Sequence, residues 1–277
     1  MAESDDRAFN DVSTIASPST RIVFPIEDEW PSADKSFSQV LTVDIGGSSI
    51  KVLASGQTEP RKRRSGKSLT PPKMVEIVQE LAEGWDYEAI SIGYPGLVGT
   101  LGPSSEPGNL GDGWVGFDFA SAFGLPVRIM NDAAMQALGS YEGGRMLFLG
   151  LGTGLGSAMI TGEFILTLEL GQLPYKKGQT LGEALGRQGL KRLGKAAWRR
   201  AVADVAPALM KAFLADSVVI GGGNARKLRE MPAGIRLGHN LTAFRGGARL
   251  WNTGTAPRAA LLAKNKTGAE EHFPSSI

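Results

Sequence analysis

Val40-Leu41-Thr42-Val43-Asp44-Ile45-Gly46-Gly47-Ser48-Ser49-Ile50-Lys51-Val52-Leu53-Ala54 decides how this chain is read. Two apolar, β-branched runs flank a Gly-Gly turn, so the segment reads as a β-hairpin with strands over 40–45 and 50–54. An acid, Asp44, closes the first strand, and two hydroxyls follow the glycines. Bare glycine backbone lets N–H groups approach a phosphate, Ser48 and Ser49 add donors, and a strand-end aspartate can hold a hydrated magnesium ion. An ordinary β-turn would use the same residues.

The design returns about 107 residues later as Gly150-Leu151-Gly152-Thr153-Gly154-Leu155-Gly156-Ser157-Ala158, again an apolar strand, alternating glycines with a hydroxyl, and an apolar strand. Two such loops suggest two lobes gripping one phosphate chain from either side. Neither has the G-x-x-x-x-G-K-[ST] spacing of a P-loop. Around them, strands at 89–94, 127–130, 146–151, 157–161, 164–168 and 217–220 mix with helices at 71–83, 132–141, 181–193, 195–214 (interrupted at Pro207) and about 241–250. That mixture indicates an α/β fold. A basic loop is expected over Arg61–Lys67, a glycine-rich loop over 95–117, and no repeat of solenoid length is visible. The expected organisation is an acidic flexible arm over 1–37, a small α/β lobe over 38–130 completed by the 240–251 helix, a large α/β lobe over 131–239 and a polar tail over 252–277.

Composition narrows the chemistry. The 277 residues contain 37 glycines and no cysteine, so disulfides, thiolate catalysis and cysteine-rich zinc sites are excluded. Glycine is about twice its usual 7% share, and 17 of the 37 fall in 46–47, 93–116, 150–156 and 221–223, which are the candidate ligand loops. With His239 and His272 as the two histidines, a histidine-rich metal centre is excluded as well. No apolar run approaches the roughly 18 residues of a membrane span, and the acidic start reads as neither signal nor transit peptide. Residues 1–38 carry eight acids and three bases, which leaves the remainder strongly positive. A positive body suits a polyphosphate or nucleotide, and equally suits solubility.

Several further groups could carry chemistry. Asn131-Asp132 stands where a strand meets a helix: Asp132 is either an N-cap or a carboxylate accepting the proton of an attacking alcohol, with Asn131 orienting the substrate. The loop Pro107-Gly108-Asn109-Leu110-Gly111-Asp112-Gly113-Trp114 offers an amide and an aromatic plane for a polyol. Glu169-Leu170-Gly171-Gln172 could present two hydrogen-bonding side chains to the same cleft. Gly221-Gly222-Gly223 could let a base or ribose lie on bare backbone, or form a tight turn. Arg187, Lys191 and Lys195 line one helical face if that helix is continuous, as a solvated face or a polyanion track. No nucleic-acid-binding motif accompanies them.

Taken in order over roughly residues 39–251, these motifs resemble the actin-like sugar kinases of the ROK family, and within it the compact polyphosphate glucokinases. The resemblance rests on Asp44–Lys51, Tyr94-Pro95-Gly96 with Asn109 and Trp114, Asn131-Asp132-Ala133, Gly152–Ala158, Glu169-Leu170-Gly171-Gln172 and Gly221–Gly223. It implies a two-lobed ribonuclease H-like fold and a cytoplasmic phosphotransferase acting on the 6-hydroxyl of glucose or a related hexose in carbohydrate phosphorylation and glycolysis. Asp132 would be the general base; Asn109, Asn131, Glu169 and Gln172 would bind the sugar. Gly46, Gly47, Ser48, Ser49, Lys51, Gly152, Thr153 and Gly154 would bind phosphate, and Gly221, Gly222 and Gly223 a nucleotide. The implied cofactors are Mg2+, held indirectly by Asp44, and ATP, inorganic polyphosphate or both as donor, without zinc. No nucleic acid or membrane partner is implied, and a homodimer is left open. Gln172 stands where the family usually has histidine, which predicts altered sugar preference or weaker affinity. The rival expectation is a kinase-derived sugar- or phosphate-binding protein with little or no turnover.

Overall fold

The computed structural model describes residues 37–162, 164–239 and 241–251, together with the backbone of 258–259. The expected hairpin forms the heart of a five-stranded sheet. Strand β1 (Val40–Ile45) pairs antiparallel with β2 (Ser49–Ala54), and β2 with β3 (Arg61–Arg64). Helix α1 (Pro71–Leu81), opened by prolines at its first turn, buries Met74, Val75, Ile77, Val78 and Leu81 against one face of that sheet. Strand β4 (Ala89–Tyr94) joins β1 in parallel. A small hairpin, β5 (Val98–Gly99) with β6 (Gly102–Pro103), and a short helix α2 (Phe119–Phe123) then lead to β7 (Val127–Asn131), parallel to β4.

Helix α3 (Asp132–Ser140) connects this sheet to the second one. There β8 (Arg145–Leu151), β9 (Leu155–Thr161) and β10 (Phe164–Leu168) form an antiparallel meander. Helix α4 (Leu181–Leu185) carries a capping box in which Thr180 and Glu183 exchange side-chain and backbone hydrogen bonds. Helix α5 (Arg187–Ala212) buries Trp198, Val202, Val205 and Leu209 on the sheet. Strands β11 (Ser217–Gly221) and β12 (Ile235–Leu237) add in parallel beside β8. Helix α6 (Thr242–Arg249) follows.

The two sheets share one plan. The order β3-β2-β1-β4-β7 matches β10-β9-β8-β11-β12, a three-strand meander followed by two parallel strands. The repeat is one of topology, so a search for recurring residues does not reveal it beyond the two glycine loops, which occupy equivalent β1–β2 and β8–β9 turns. Helix α6 returns to the first sheet: Thr42 donates to the Phe244 carbonyl and Ser91 to the Gly247 carbonyl at 2.6 Å, while Trp251 Nε1 donates to Ser91 Oγ at 2.9 Å. It crosses α3 so closely that a methyl group at Gly139 would overlap the Thr242 carbonyl, and one at Gly246 the Met135 carbonyl.

Several expectations are corrected. Arg61–Arg64 is an edge strand rather than a loop, because its residues pair with Ser49–Val52. The helix expected over 181–193 breaks at Gly186, and the row Arg187–Lys191–Lys195 is not on one continuous helix, since Gly194 adopts φ 72° and ψ 163°. Pro207 does not interrupt α5; a proline removes one hydrogen bond, whereas glycine alone takes the left-handed turn easily. Beyond Gly223 the chain makes a single 3-10 turn, Ala225–Lys227, before β12. Of the expected arm and tail, residues 1–36, 252–257 and 260–277 lie outside the described residues; Arg258–Ala259 pairs in parallel with β10.

Candidate active site

Asp44 is the next-to-last residue of β1 and is buried, with one carboxylate oxygen 2.8 Å from Lys51 Nζ across the hairpin. The turn between them is braced: Gly46 N–H donates to Ser49 O at 3.0 Å, and Ser65 Oγ donates to Gly46 O at 2.5 Å. A side chain at Gly47 would occupy the place of the Asn109 amide, so the first glycine loop and the loop carrying Asn109 are in direct contact. That loop is shaped by Glu106, whose carboxylate accepts from the N–H groups of Trp114 and Val115, each at 3.1 Å. Trp114 itself is fully buried among Tyr94 and Phe119, with Nε1 donating to Gly111 O. Its plane is therefore core and not the polyol platform expected from sequence.

Asn131 and Asp132 divide their duties differently from the expectation. Asn131 is the N-cap: its Oδ1 accepts from Ala133 N at 3.0 Å and Ala134 N at 3.1 Å, and its Nδ2 donates to Gly96 O at 3.1 Å. Most of its hydrogen-bonding capacity is thus spent on holding the strand-to-helix junction. Asp132, the next residue, is half-buried, and one of its oxygens accepts from Ala133 N at 2.8 Å. Burial, reinforced by the nearby charges of Asp44 and Glu169, pushes its carboxyl up to about 7. Carboxylates from β1, α3 and the turn after β10 are therefore near enough to sense one another. Gln172 sits in the 3-10 turn Leu170–Gln172, exposed beside Glu169, and Ser157 positions this turn by donating to Leu168 O and accepting from Leu170 N.

The second glycine loop is held from outside. Arg187 N–H is shared by the carbonyls of Gly152 and Thr153 at 3.0 and 3.1 Å, and Asn224 Nδ2 donates to Gly152 O at 3.0 Å. A Cβ at Gly152 or Gly154 would meet nothing, which leaves that backbone bare toward a ligand. The three glycines at 221–223 are unlike one another. Gly221 packs on Phe148 and Gly222, at φ +81°, on the backbone of Leu151, so both serve close packing, while Gly223 is open.

Gly223 lines a cavity of about 520 Å³ with Arg187, Leu190, Lys191, Gly194, Lys195, Asn224, Arg226 and Lys227. The kink at Gly194 does not disperse the basic row, since Arg187, Lys191 and Lys195 all line this space. Arg226, Lys227 and Asn224 were not singled out from sequence; a strand-glycine turn followed by Arg-Lys is the signal that could have found them. The Arg187 guanidinium also reaches Ser48 Oγ at 3.2 Å and so joins the two glycine loops. Among the described residues no three His, Cys, Asp or Glu side chains are placed to hold a metal ion, and no helix is long and apolar enough to cross a membrane.

No family model matches the chain. A polyphosphate glucokinase of Mycobacterium leprae is 31% identical over 206 residues, which is 67% of this chain; the chain spans 63% of that protein's length. Among solved structures, an inorganic polyphosphate/ATP-glucomannokinase from Arthrobacter superposes with a TM-score of 0.66 at 21% identity, covering 78% of this chain and 98% of that one. A ROK family glucokinase from Streptomyces griseus, in complex with glucose and AMPPNP, gives 0.60 at 17% identity, covering 78% and 100%.

Proposed function

We propose that the chain is a sugar kinase of the ROK family, with that family's two-lobed actin-like fold, and that it transfers a terminal phosphoryl group to the 6-hydroxyl of glucose or a related hexose. The observation that carries this reading is Asp132. Its carboxyl is pushed up to about 7 at the start of α3, where the first sheet hands over to the second and where Asp44 and Glu169 approach. A general base works best when its proton affinity lies near the working pH.

In the proposed reaction Asp132 accepts the hydroxyl proton as the sugar oxygen bonds to phosphorus and the bridging phosphate oxygen departs with its electron pair. The expansion of negative charge is met by preorganised groups: the N–H groups of Gly47, Thr153 and Gly154, which the turns themselves do not use, the hydroxyls of Ser48, Ser49 and Thr153, and the cations Lys51 and Arg187. Asn109, packed on Gly47, would hold sugar next to the phosphate loop, with Glu169 and Gln172 opposite and Asn131 contributing its remaining amide hydrogen. Magnesium fits this site through Asp44, which keeps one oxygen free of protein hydrogen bonds among the described residues. Magnesium commonly uses one carboxylate together with water and donor phosphates, and it would neutralise phosphate charge there. The two sheets serve as the two lobes, and the reaction belongs in the cytoplasm.

For the donor we propose inorganic polyphosphate, with ATP as a second substrate. Five cations and no carboxylate line the cavity beside the second loop, a composition suited to a polyanion, and Gly223 leaves room for a nucleotide on the same wall. A matrix of polyphosphate and ATP against glucose, mannose and N-acetylmannosamine tests this. Sugar 6-phosphate formed faster from polyphosphate is the expected result. Turnover with ATP alone would remove the donor assignment and leave the kinase reading intact.

A further inference from the structure

Arg61-Lys62-Arg63-Arg64 forms β3, the outer strand of the first sheet, and all four side chains are exposed. Strand alternation divides them. Arg61 and Arg63 stand on the face of Val52 and Ile50, toward α1: Arg61 donates to the carbonyls of Leu81 and Glu83 and lies 4.0 Å from the centre of the Trp85 ring, and Arg63 pairs with Glu80. These two fasten the strand to the helix.

Lys62 and Arg64 stand on the opposite face, in register with Lys51 and Ser49, and Lys51 is in turn in register with Asp44. Neither side chain makes an ion pair or hydrogen bond to the described residues. Like charges facing each other across a strand pair are destabilising, so the Lys51–Lys62 pair is a poor choice for stability alone. The end of the strand is tied to the first glycine loop, since Ser65 donates from its hydroxyl to Gly46 O and from its N–H to Ser48 O at 3.3 Å. Ser48 and Ser49 are therefore flanked by Arg187 on one side and Arg64 on the other.

We infer that this face of β3 is a further wall of the donor site, where Lys62 and Arg64 hold phosphates of a linear polyphosphate beyond those taken by the glycine loops. The inference rests on the proposed donor. Strand β3 lies two inter-strand spacings, about 10 Å, from β1, a distance that a run of linked phosphates spans and a single one does not. Nucleic acid fits less well: Trp85, the ring beside β3, lies under Arg61 on the other face and offers no stacking platform.

The test is calorimetric binding of long-chain polyphosphate and of tripolyphosphate to the wild-type chain, the double variant Lys62→Gln/Arg64→Gln, and Arg63→Gln. The double variant is expected to bind the long chain at least tenfold more weakly with less than a twofold change for tripolyphosphate. Arg63→Gln is expected to lower thermal stability and keep the long-chain affinity. Equal long-chain binding by wild type and double variant, equal affinity of the wild type for long and short chains, or tighter binding of single-stranded RNA of equal charge would each overturn the inference. Glucose phosphorylation from ATP without polyphosphate binding would sink this inference together with the donor assignment and leave the kinase reading standing; polyphosphate binding through Lys62 and Arg64 without phosphorylation of any hexose would sink the kinase reading alone.

Discussion

Arg187 Nη2 lies 3.2 Å from Ser48 Oγ, and the same residue's backbone N–H is shared by the carbonyls of Gly152 and Thr153. One arginine thus touches both glycine loops, from the first turn of α5. Replacing it with alanine keeps a good helix former and removes the guanidinium. Arg187→Ala is predicted to lower kcat/KM for the phosphoryl donor roughly 10- to 100-fold, the scale of one charge-assisted phosphate contact at about 1.5–3 kcal/mol, with the KM for sugar changed less than threefold. Steady-state kinetics with each substrate varied in turn checks this.

Asp132 has two predictable signatures. Because its carboxyl is pushed up to about 7, kcat/KM is expected to fall as pH drops through 7 and the base becomes protonated. Its raised proton affinity also means that the folded state binds the proton more tightly than the unfolded chain, so ionisation above the ordinary aspartate range costs stability progressively up to about pH 7. Asp132→Asn removes that cost. The variant should melt several degrees higher than wild type at pH 8 and within about a degree of it at pH 4.

Asn131 caps α3 through Oδ1 and ties it to Gly96 through Nδ2. Asn131→Ala is expected to cost about 1–2 kcal/mol, which at this size is a fall in Tm of roughly 2–8 °C. Asn131→Asp retains the cap acceptor and should recover most of the loss. A sugar-binding role adds a rise in sugar KM that capping alone does not produce, so thermal melts and sugar KM measured on the same two variants separate the roles.

The crossing of α3 and α6 leaves no space at Gly139, where a methyl group would overlap backbone rather than a movable side chain. Gly139→Ala is predicted to destabilise by about 3 kcal/mol or more, at the upper end for overpacking, although alanine is the better helix former. A chemical denaturation curve measures it.

How much of this was legible in the sequence depends on what each residue answers to. Asp44 to Lys51 was readable because a strand end, a glycine turn and a returning strand are local events, and the register Asp44–Lys51 follows from the hairpin itself. Asn224 and Lys227 were marked only by the strand-glycine turn before them, since they reach Gly152 and the basic cavity only after β11 is laid beside β8. Trp114 misled for the same reason: an aromatic in a polar loop looks available until Glu106 folds the loop and buries the ring. The division of Asn131 and Asp132 into cap and carboxylate turns on one residue of helix phase, which propensity does not resolve.

The most direct measurement incubates the purified chain with glucose, magnesium and either polyphosphate or ATP, and assays glucose 6-phosphate for wild type and Asp132→Asn side by side. Product is expected with at least one donor, with a loss of about 10²- to 10⁴-fold in the variant, the usual worth of a general base. No sugar phosphate from wild type with either donor, or equal rates in the two proteins, would contradict it.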